Sequence, residues 1–211
     1  PEHYMTEQNG SGVALLDFDA DGWLDLFLPN GDHPDRPAVQ SNSTHKLYRC
    51  VDEWKYRDAA SLAGVASTGY GMGCATGDFD SDGFVDLFLS SYENNRLWRN
   101  NGDGSFQEID LPKSPFAHRW STSAAFADLD ADGFLDLYVT NYVDYSFEDG
   151  ACFTQHQPNP VMIPCGPLGR TGQPDTLLQN NVDGTFADIS QAAGISLFRG
   201  KGLGVSVADF N

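Results

Sequence analysis

The chain has 211 residues, enough for one large all-β domain or two small ones, and either could bury a core. Asp and Glu outnumber Lys and Arg 30 to 12, a formal net charge of −18, yet 40% hydrophobic and 12% aromatic content is that of a folded protein rather than an acidic tail. Such a charge argues against nucleic acid and anionic membrane as partners, because both would be repelled, and suits a protein that binds cations.

In chain order, the sequence predicts a strand at Gly12-Val-Ala-Leu-Leu, an acidic turn from Asp17 to Asp25, and a strand Asp25-Leu-Phe-Leu28. The same succession returns without gaps at Gly73-Cys-Ala-Thr-Gly-Asp78-Phe-Asp80 through Asp86-Leu-Phe-Leu89, and at Ser123-Ala-Ala-Phe-Ala-Asp128-Leu-Asp130 through Asp136-Leu-Tyr-Val139. A fourth opening, Gly204-Val-Ser-Val-Ala-Asp209-Phe-Asn211, stops inside the turn. Each complete turn is followed, after a variable connection, by a looser repeat. Its copies are Leu47-Tyr-Arg-Cys50, Leu97-Trp-Arg-Asn-Asn-Gly-Asp-Gly-Ser-Phe106 and Leu177-Leu-Gln-Asn-Asn-Val-Asp-Gly-Thr-Phe186. Asn, Asp and Gly tolerate the positive φ of tight hairpins, so these turns predict a third and a fourth strand. Helical turns are predicted at 58–64 and 188–194, each ending on glycine and carrying the chain to the next unit.

Four short antiparallel strands, recurring at intervals of 61, 50 and 81 residues between Asp17, Asp78, Asp128 and Asp209, describe propeller blades better than a solenoid. The expected fold is an all-β, partial β-propeller of antiparallel sheets in a single region, 1–211. Its blades are expected at about 10–66, 70–113 and 120–198, with the start of a fourth at 202–211 and an insertion at 141–175 in the third.

The repeated turn has the chemistry of a calcium site. Calcium takes six to eight oxygen ligands and tolerates irregular geometry. Numbering each loop from its first Asp, carboxylates stand at positions 1, 3, 5 and 9: Asp17, Asp19, Asp21 and Asp25; Asp78, Asp80, Asp82 and Asp86; Asp128, Asp130, Asp132 and Asp136. Gly22, Gly83 and Gly133 at position 6 permit the sharp turn, after which the backbone carbonyls of Trp23, Phe84 and Phe134 face inward. Asp209 and Asn211 supply the first two ligands of the truncated fourth loop, the Asn through its carbonyl oxygen. An EF-hand or dockerin loop is excluded, because position 12 is Leu28, Leu89 or Val139 instead of Glu and strands flank the loop. Magnesium is the weaker fit, since it demands a stricter octahedron. Solvated Asp-Gly turns would leave several carboxylates repelling one another in each loop, which a cation relieves. The sequence therefore predicts about three calcium ions, one per complete loop.

Cys50, Cys74, Cys152 and Cys165 form no Cys-x-x-Cys pair, so disulfides are expected. Cys152 and Cys165 lie in one Pro-rich loop and are the favoured bridge, worth about 3 kcal/mol in the chain-entropy model. Cys50 with Cys74 follows by default. No run approaches the roughly 18 apolar residues that cross a bilayer, and no membrane insertion is expected.

With these residues in place, the sequence resembles the FG-GAP/VCBS repeat family of calcium-binding β-propellers, which includes the integrin α-subunit head. The phrases Gly77-Asp-Phe-Asp-Ser-Asp-Gly83, Leu97-Trp-Arg-Asn-Asn-Gly-Asp-Gly-Ser-Phe106 and Cys165-Gly-Pro-Leu-Gly169, with Pro174-Asp175, are similar to the subgroup related to cartilage acidic protein and UnbV-type bacterial proteins. The resemblance covers nearly the whole chain. It implies calcium between the first two strands of each blade and a ring of about seven blades, so a further chain or segment completing the ring is expected. The 211 residues contain no UnbV-type region, and nothing attributed to one carries over.

No catalytic constellation is found. Gly69-Tyr-Gly-Met-Gly73 and Gly200-Lys-Gly-Leu-Gly204 fit no nucleotide-binding pattern, and His3, His33, His45, His118 and His156 lack metal-ligand spacing. Asn9-Gly-Ser11 and Asn42-Ser-Thr44 match the N-glycosylation pattern. Trp23, Phe84 and Phe134 are read as packing residues first. Trp54, Tyr92, Trp98, Trp120, Tyr142, Tyr145 and Phe147 are read as candidates for a contact surface. The expected function is a calcium-clamped structural or protein-interaction module that is extracellular, cell-surface or periplasmic. The alternatives are a carbohydrate-binding propeller taking a glycan and, third, part of a polysaccharide-processing enzyme.

Overall fold

The computed structural model describes residues 5–8, 10–31, 43–112, 119–149, 152–153, 159–163 and 165–208. The first repeat forms β1 (Ala14–Leu16), β2 (Asp25–Leu28), β3 (Lys46–Asp52) and β4 (Lys55–Asp58). A single helical turn, α1 (Ala60–Ala63), stops on Gly64 at φ 82° and leads to the second repeat. There β5 (Tyr70–Gly77), β6 (Asp86–Tyr92), β7 (Arg96–Asn100) and β8 (Phe106–Ile109) form the second sheet. The third begins with β9 (Ser121–Ala127) and β10 (Asp136–Asn141). A two-stranded hairpin, β11 (Cys152–Phe153) and β12 (Met162–Ile163), intervenes before β13 (Thr176–Asn180) and β14 (Phe186–Asp188) complete the sheet. Each sheet is antiparallel and ordered as its strands occur in the chain. The fold is thus nearly all-β, three four-stranded sheets in succession, as expected of propeller blades; no closed ring forms among the described residues.

Strand alternation decides how the sheets stack. On β6, Leu87 and Leu89 join Leu16, Phe18, Phe27 and Leu47 in a core against the first sheet. Phe88, on the opposite side of the same strand, joins Leu137, Val139 and Leu178 in a core against the third. The strand is buried along its whole length, which is why it reads as an unbroken Leu-Phe-Leu run. The opening strands crowd together: the Gly12 N–H donates to the Met72 carbonyl at 2.6 Å, and a Cβ at Gly73 would lie 2.5 Å from the Thr122 carbonyl oxygen. The glycine-rich run before the second loop is thus a close-approach device, as its poor fit to any phosphate loop implied.

Four expectations change. Cys152 and Cys165 are bridged, with Cα atoms 5.1 Å apart, but Cys50 and Cys74 are free thiols. Strand parity separates that second pair. Cys50 follows Tyr48 onto the outer side of β3 and lines a groove there, whereas Cys74 packs into the core between the first and second sheets. Of the candidate contact aromatics, Trp98 and Trp120 are buried at 1% and 0% exposure, and Tyr92, Tyr142 and Tyr145 are buried as well. Tyr92, Trp120, Tyr142 and Tyr145 form, with Met5, Met72, Val143 and Cys165, a third core that anchors the insertion, and Phe147 packs on its edge. Trp54 alone of that group is widely exposed, at 84%. Trp23, read as a packing residue, is 48% exposed. Finally, 202–208 are assigned no strand; the expected helical turn before them is present as a single turn, with the Ala193 N–H donating to the Ile189 carbonyl at 2.8 Å and Gly194 at φ 76°, followed by a 3-10 turn (Ile195–Leu197). Gly202 instead donates its N–H to Asn141 O and accepts from the Thr122 hydroxyl. Asp209 and Asn211, the sequon asparagines Asn9 and Asn42, and His3, His33, His118 and His156 lie outside the described residues.

Candidate metal centre

Each loop folds by turning its own carboxylates onto its own amides. At position 1, Asp17 accepts the N–H groups of Asp21 and Gly22 at 3.0 and 2.9 Å. Asp78 accepts those of Asp82 and Gly83, and Asp128 those of Asp132 and Gly133. At position 5, Asp21, Asp82 and Asp132 accept the N–H two residues on, from Trp23, Phe84 and Phe134. Such Asx turns let short acidic side chains replace a missing sheet ladder. The glycines at position 6 take φ of 87°, 92° and 93°, and the non-glycine residues at position 4, Ala20, Ser81 and Ala131, take 55°, 59° and 61°. Three loops far apart in sequence thus share one conformation, strained at the same place.

Position 9 has a second task. Asp25 is fully buried and accepts the N–H of Phe18 in its own loop and of Cys50 on β3, at 3.1 and 2.7 Å. Asp86 does the same with Phe79 and Asn100, and Asp136 with Leu129 and Asn180. This carboxylate rivets the loop to the third strand. Burial, chiefly, raises Asp25 from the ordinary carboxylate range. Burial, opposed by its two amides and aided by Asp80 and Asp82, pushes Asp86 up to about 7. An ionised carboxylate there is costly without a counter-cation.

Three carboxylates converge in every loop, with oxygens within 4.8 Å of one another: Asp17, Asp19 and Asp25; Asp78, Asp80 and Asp86; Asp128, Asp130 and Asp132. Asp21 and Asp82 are outside the first two clusters, and Asp136 outside the third. At position 3, Oδ1 of Asp19 and Oδ1 of Asp80 are buried with no hydrogen-bond donor. A buried, unpaired carboxylate oxygen beside two others is an acceptor that a cation would satisfy. The donor set, oxygen only and mostly anionic, fits calcium.

Two classes of residue at the site go beyond the Asp pattern. Asn100 donates its amide to the Phe18 carbonyl of the first loop, at 2.9 Å, and Asn180 donates to the Phe79 carbonyl of the second, at 2.8 Å, so each sheet latches the loop of the sheet before it. Directly before them, Arg99 and Gln179 reach position 3 of their own loops, as does Arg49, which precedes Cys50 in the first sheet. The signal for both was the repeated phrase Leu-x-Arg/Gln-Asn/Cys, which marked a strand without indicating where its polar side chains point.

Comparison with known proteins agrees with this geometry. Residues 78–139, which run from the second acidic loop to the end of the apolar run after the third, match the family model of the FG-GAP-like repeat. Over that stretch the chain is similar to the FG-GAP-like repeat. It is also 27% identical, over 223 aligned residues, to cartilage acidic protein 1 of Xenopus tropicalis, an alignment that covers 100% of this chain and 31% of the relative. The chain therefore spans about a third of that relative's length. The match fits the succession of antiparallel four-stranded sheets, as expected of propeller blades. Among the described residues no helix is long and apolar enough to cross a membrane.

Proposed function

We propose that this region is a calcium-clamped protein-interaction module working in an extracellular or other oxidising compartment. The observation that carries the reading is the repeated convergence of carboxylates, with a buried acceptor left unpaired on Asp19 and on Asp80. Calcium would be held by the loop carboxylates, Asp17, Asp19, Asp21 and Asp25 and their counterparts, with the carbonyls of Trp23, Phe84 and Phe134. Its contribution would be to neutralise the cluster and tie both flanking strands together. Three ions would bring the formal charge from −18 to −12. At free calcium a hundredfold above Kd, each would stabilise the fold by about 2.7 kcal/mol. The Cys152–Cys165 bridge supports the compartment, since such bonds persist where the surroundings are oxidising.

The partner is proposed to be a protein, or a further propeller segment, docking on the sheet faces and the insertion. No catalytic role is proposed. The one carboxyl pushed to about 7, Asp86, is sealed from solvent and held by two amides, which suits a rivet better than a general acid. A carbohydrate reading has one observation in its favour: Trp54 and Trp23 line a groove of about 550 Å³ with Leu15, Leu24 and Tyr56, a surface on which a sugar ring could stack. Glycan-array binding abolished by Trp54→Ala would establish that reading in place of the protein one. For the primary proposal, thermal unfolding is measured in millimolar calcium and in excess chelator. The midpoint is expected to fall by several degrees on chelation, and coincident curves would refute the clamp.

A further inference from the structure

The three loops are nearly identical in sequence and conformation, yet the third-strand side chain engages each differently: an arginine in the first two, a glutamine in the third. In the first sheet the Arg49 guanidinium enters the cluster, pairing through Nε with Oδ2 of Asp19 and donating from Nη2 to Oδ2 of Asp21 at 2.9 Å. In the second, Arg99 holds back: its Nε lies 4.0 Å from Oδ2 of Asp80, while its Nη2 is engaged by Oε1 of Gln107 on β8 at 2.9 Å. In the third, the residue is neutral, and Nε2 of Gln179 donates to Oδ2 of Asp130 at 2.7 Å. Asp19, Asp80 and Asp130 belong to their respective carboxylate clusters, so a bound divalent ion and the third-strand side chain share a ligand.

We infer that this third-strand residue sets the calcium affinity of each loop, with Arg49 acting as a built-in competing cation in the first and Gln179 leaving the third most receptive. The inference rests on the calcium reading above. A divalent ion entering the first loop must displace a guanidinium from two carboxylates or sit beside it at a few ångströms, where like charges repel. At the third loop the amide donates one hydrogen bond and carries no charge, so an ion meets a cluster with no positive rival from the strand. The second loop falls between, because Gln107 draws Arg99 aside. The expected order of affinity is third, second, first. It also follows that the first loop is the least dependent on calcium for its shape.

The test titrates calcium chloride alone into the wild-type chain, Arg49→Gln and Gln179→Arg by calorimetry, after far-UV circular dichroism shows each variant folded. Occupancy of the first loop is read separately by terbium emission sensitised through Trp23, which stands at position 7 of that loop only, with Trp23→Phe as the control. Arg49→Gln is expected to tighten the first loop at least about tenfold, and Gln179→Arg to weaken one of the other sites by a similar factor. Three calcium sites unaffected by either substitution would overturn the inference while leaving the calcium reading intact. No calcium binding in any of the three chains would overturn both.

Discussion

At the scale of single residues, the position 9 carboxylates are not interchangeable with the other loop acids. Asp86 satisfies the amides of Phe79 and Asn100 whether or not a cation is present, so Asp86→Ala leaves two buried donors unpaired. That substitution is expected to cost about 3 kcal/mol even in chelator, read by denaturant unfolding. The sequence displayed this residue as one ligand among four; its structural role stayed hidden, because one of its two amide partners lies on a strand that the sequence does not align with the loop. His45 carries a second prediction. It is fully buried, its Nδ1 accepts the Asn30 N–H at 3.0 Å, and burial first, then the nearby Arg96, lowers it from 6.5 to about 4. The neutral ring's contribution is present above pH 6.5 and is lost as pH falls through that value towards 4, up to about 3 kcal/mol. Asp86, raised to about 7, has the opposite dependence over the same interval, so the test is the difference between chains: acidification from 6.5 towards 4 should cost the native chain more stability than it costs His45→Gln, and an equal slope in the two would show that His45 is not responsible.

At the scale of elements, the sheets are joined at three levels: apolar cores between their faces, crowded opening strands, and the side-chain latches of Asn100 and Asn180. Asn180→Ala removes the donor to Phe79 O and to Leu135 O and the acceptor for Val182 N–H, and is expected to cost about 2 kcal/mol. Hydrogen exchange should show the loss at the second loop as well as the third, since the latch crosses between sheets. Gly73→Ala would set a methyl against the Thr122 carbonyl and should destabilise by about 3 kcal/mol or block folding, as judged by soluble yield and midpoint. The strands themselves were legible, because alternation and Asn-Gly-Asp-Gly turns are local signals. The latches were not, because they depend on neighbours about 80 and 100 residues away. Cys50 shows the same limit from the other side. It occupies in the first sheet the place that Asn100 and Asn180 hold in the others, which its own sequence context displays, but only the sheet's two faces reveal that Cys74 is out of its reach.

At the scale of the whole molecule, part of the acidic composition is gathered into three localised clusters on a succession of sheets, and the aromatics divide into those that pin the insertion and the few that remain open. Tyr92, Trp120, Tyr142 and Tyr145 stood out in the sequence as unrepeated and therefore as candidates for recognition, but they are unrepeated because the insertion needs its own core. The exposed outer side of the first sheet, with Leu15, Trp23, Leu24 and Trp54, is where an additional blade or a partner is expected to pack. The central claim, that calcium closes the acidic loops, is tested most directly by a crystal structure determined in millimolar calcium with anomalous data. Anomalous peaks are expected at the loops beginning with Asp17, Asp78 and Asp128, with the position 3 carboxylates in contact with the ion. Loops free of anomalous density, their Asp side chains still turned onto their own amides, would contradict it.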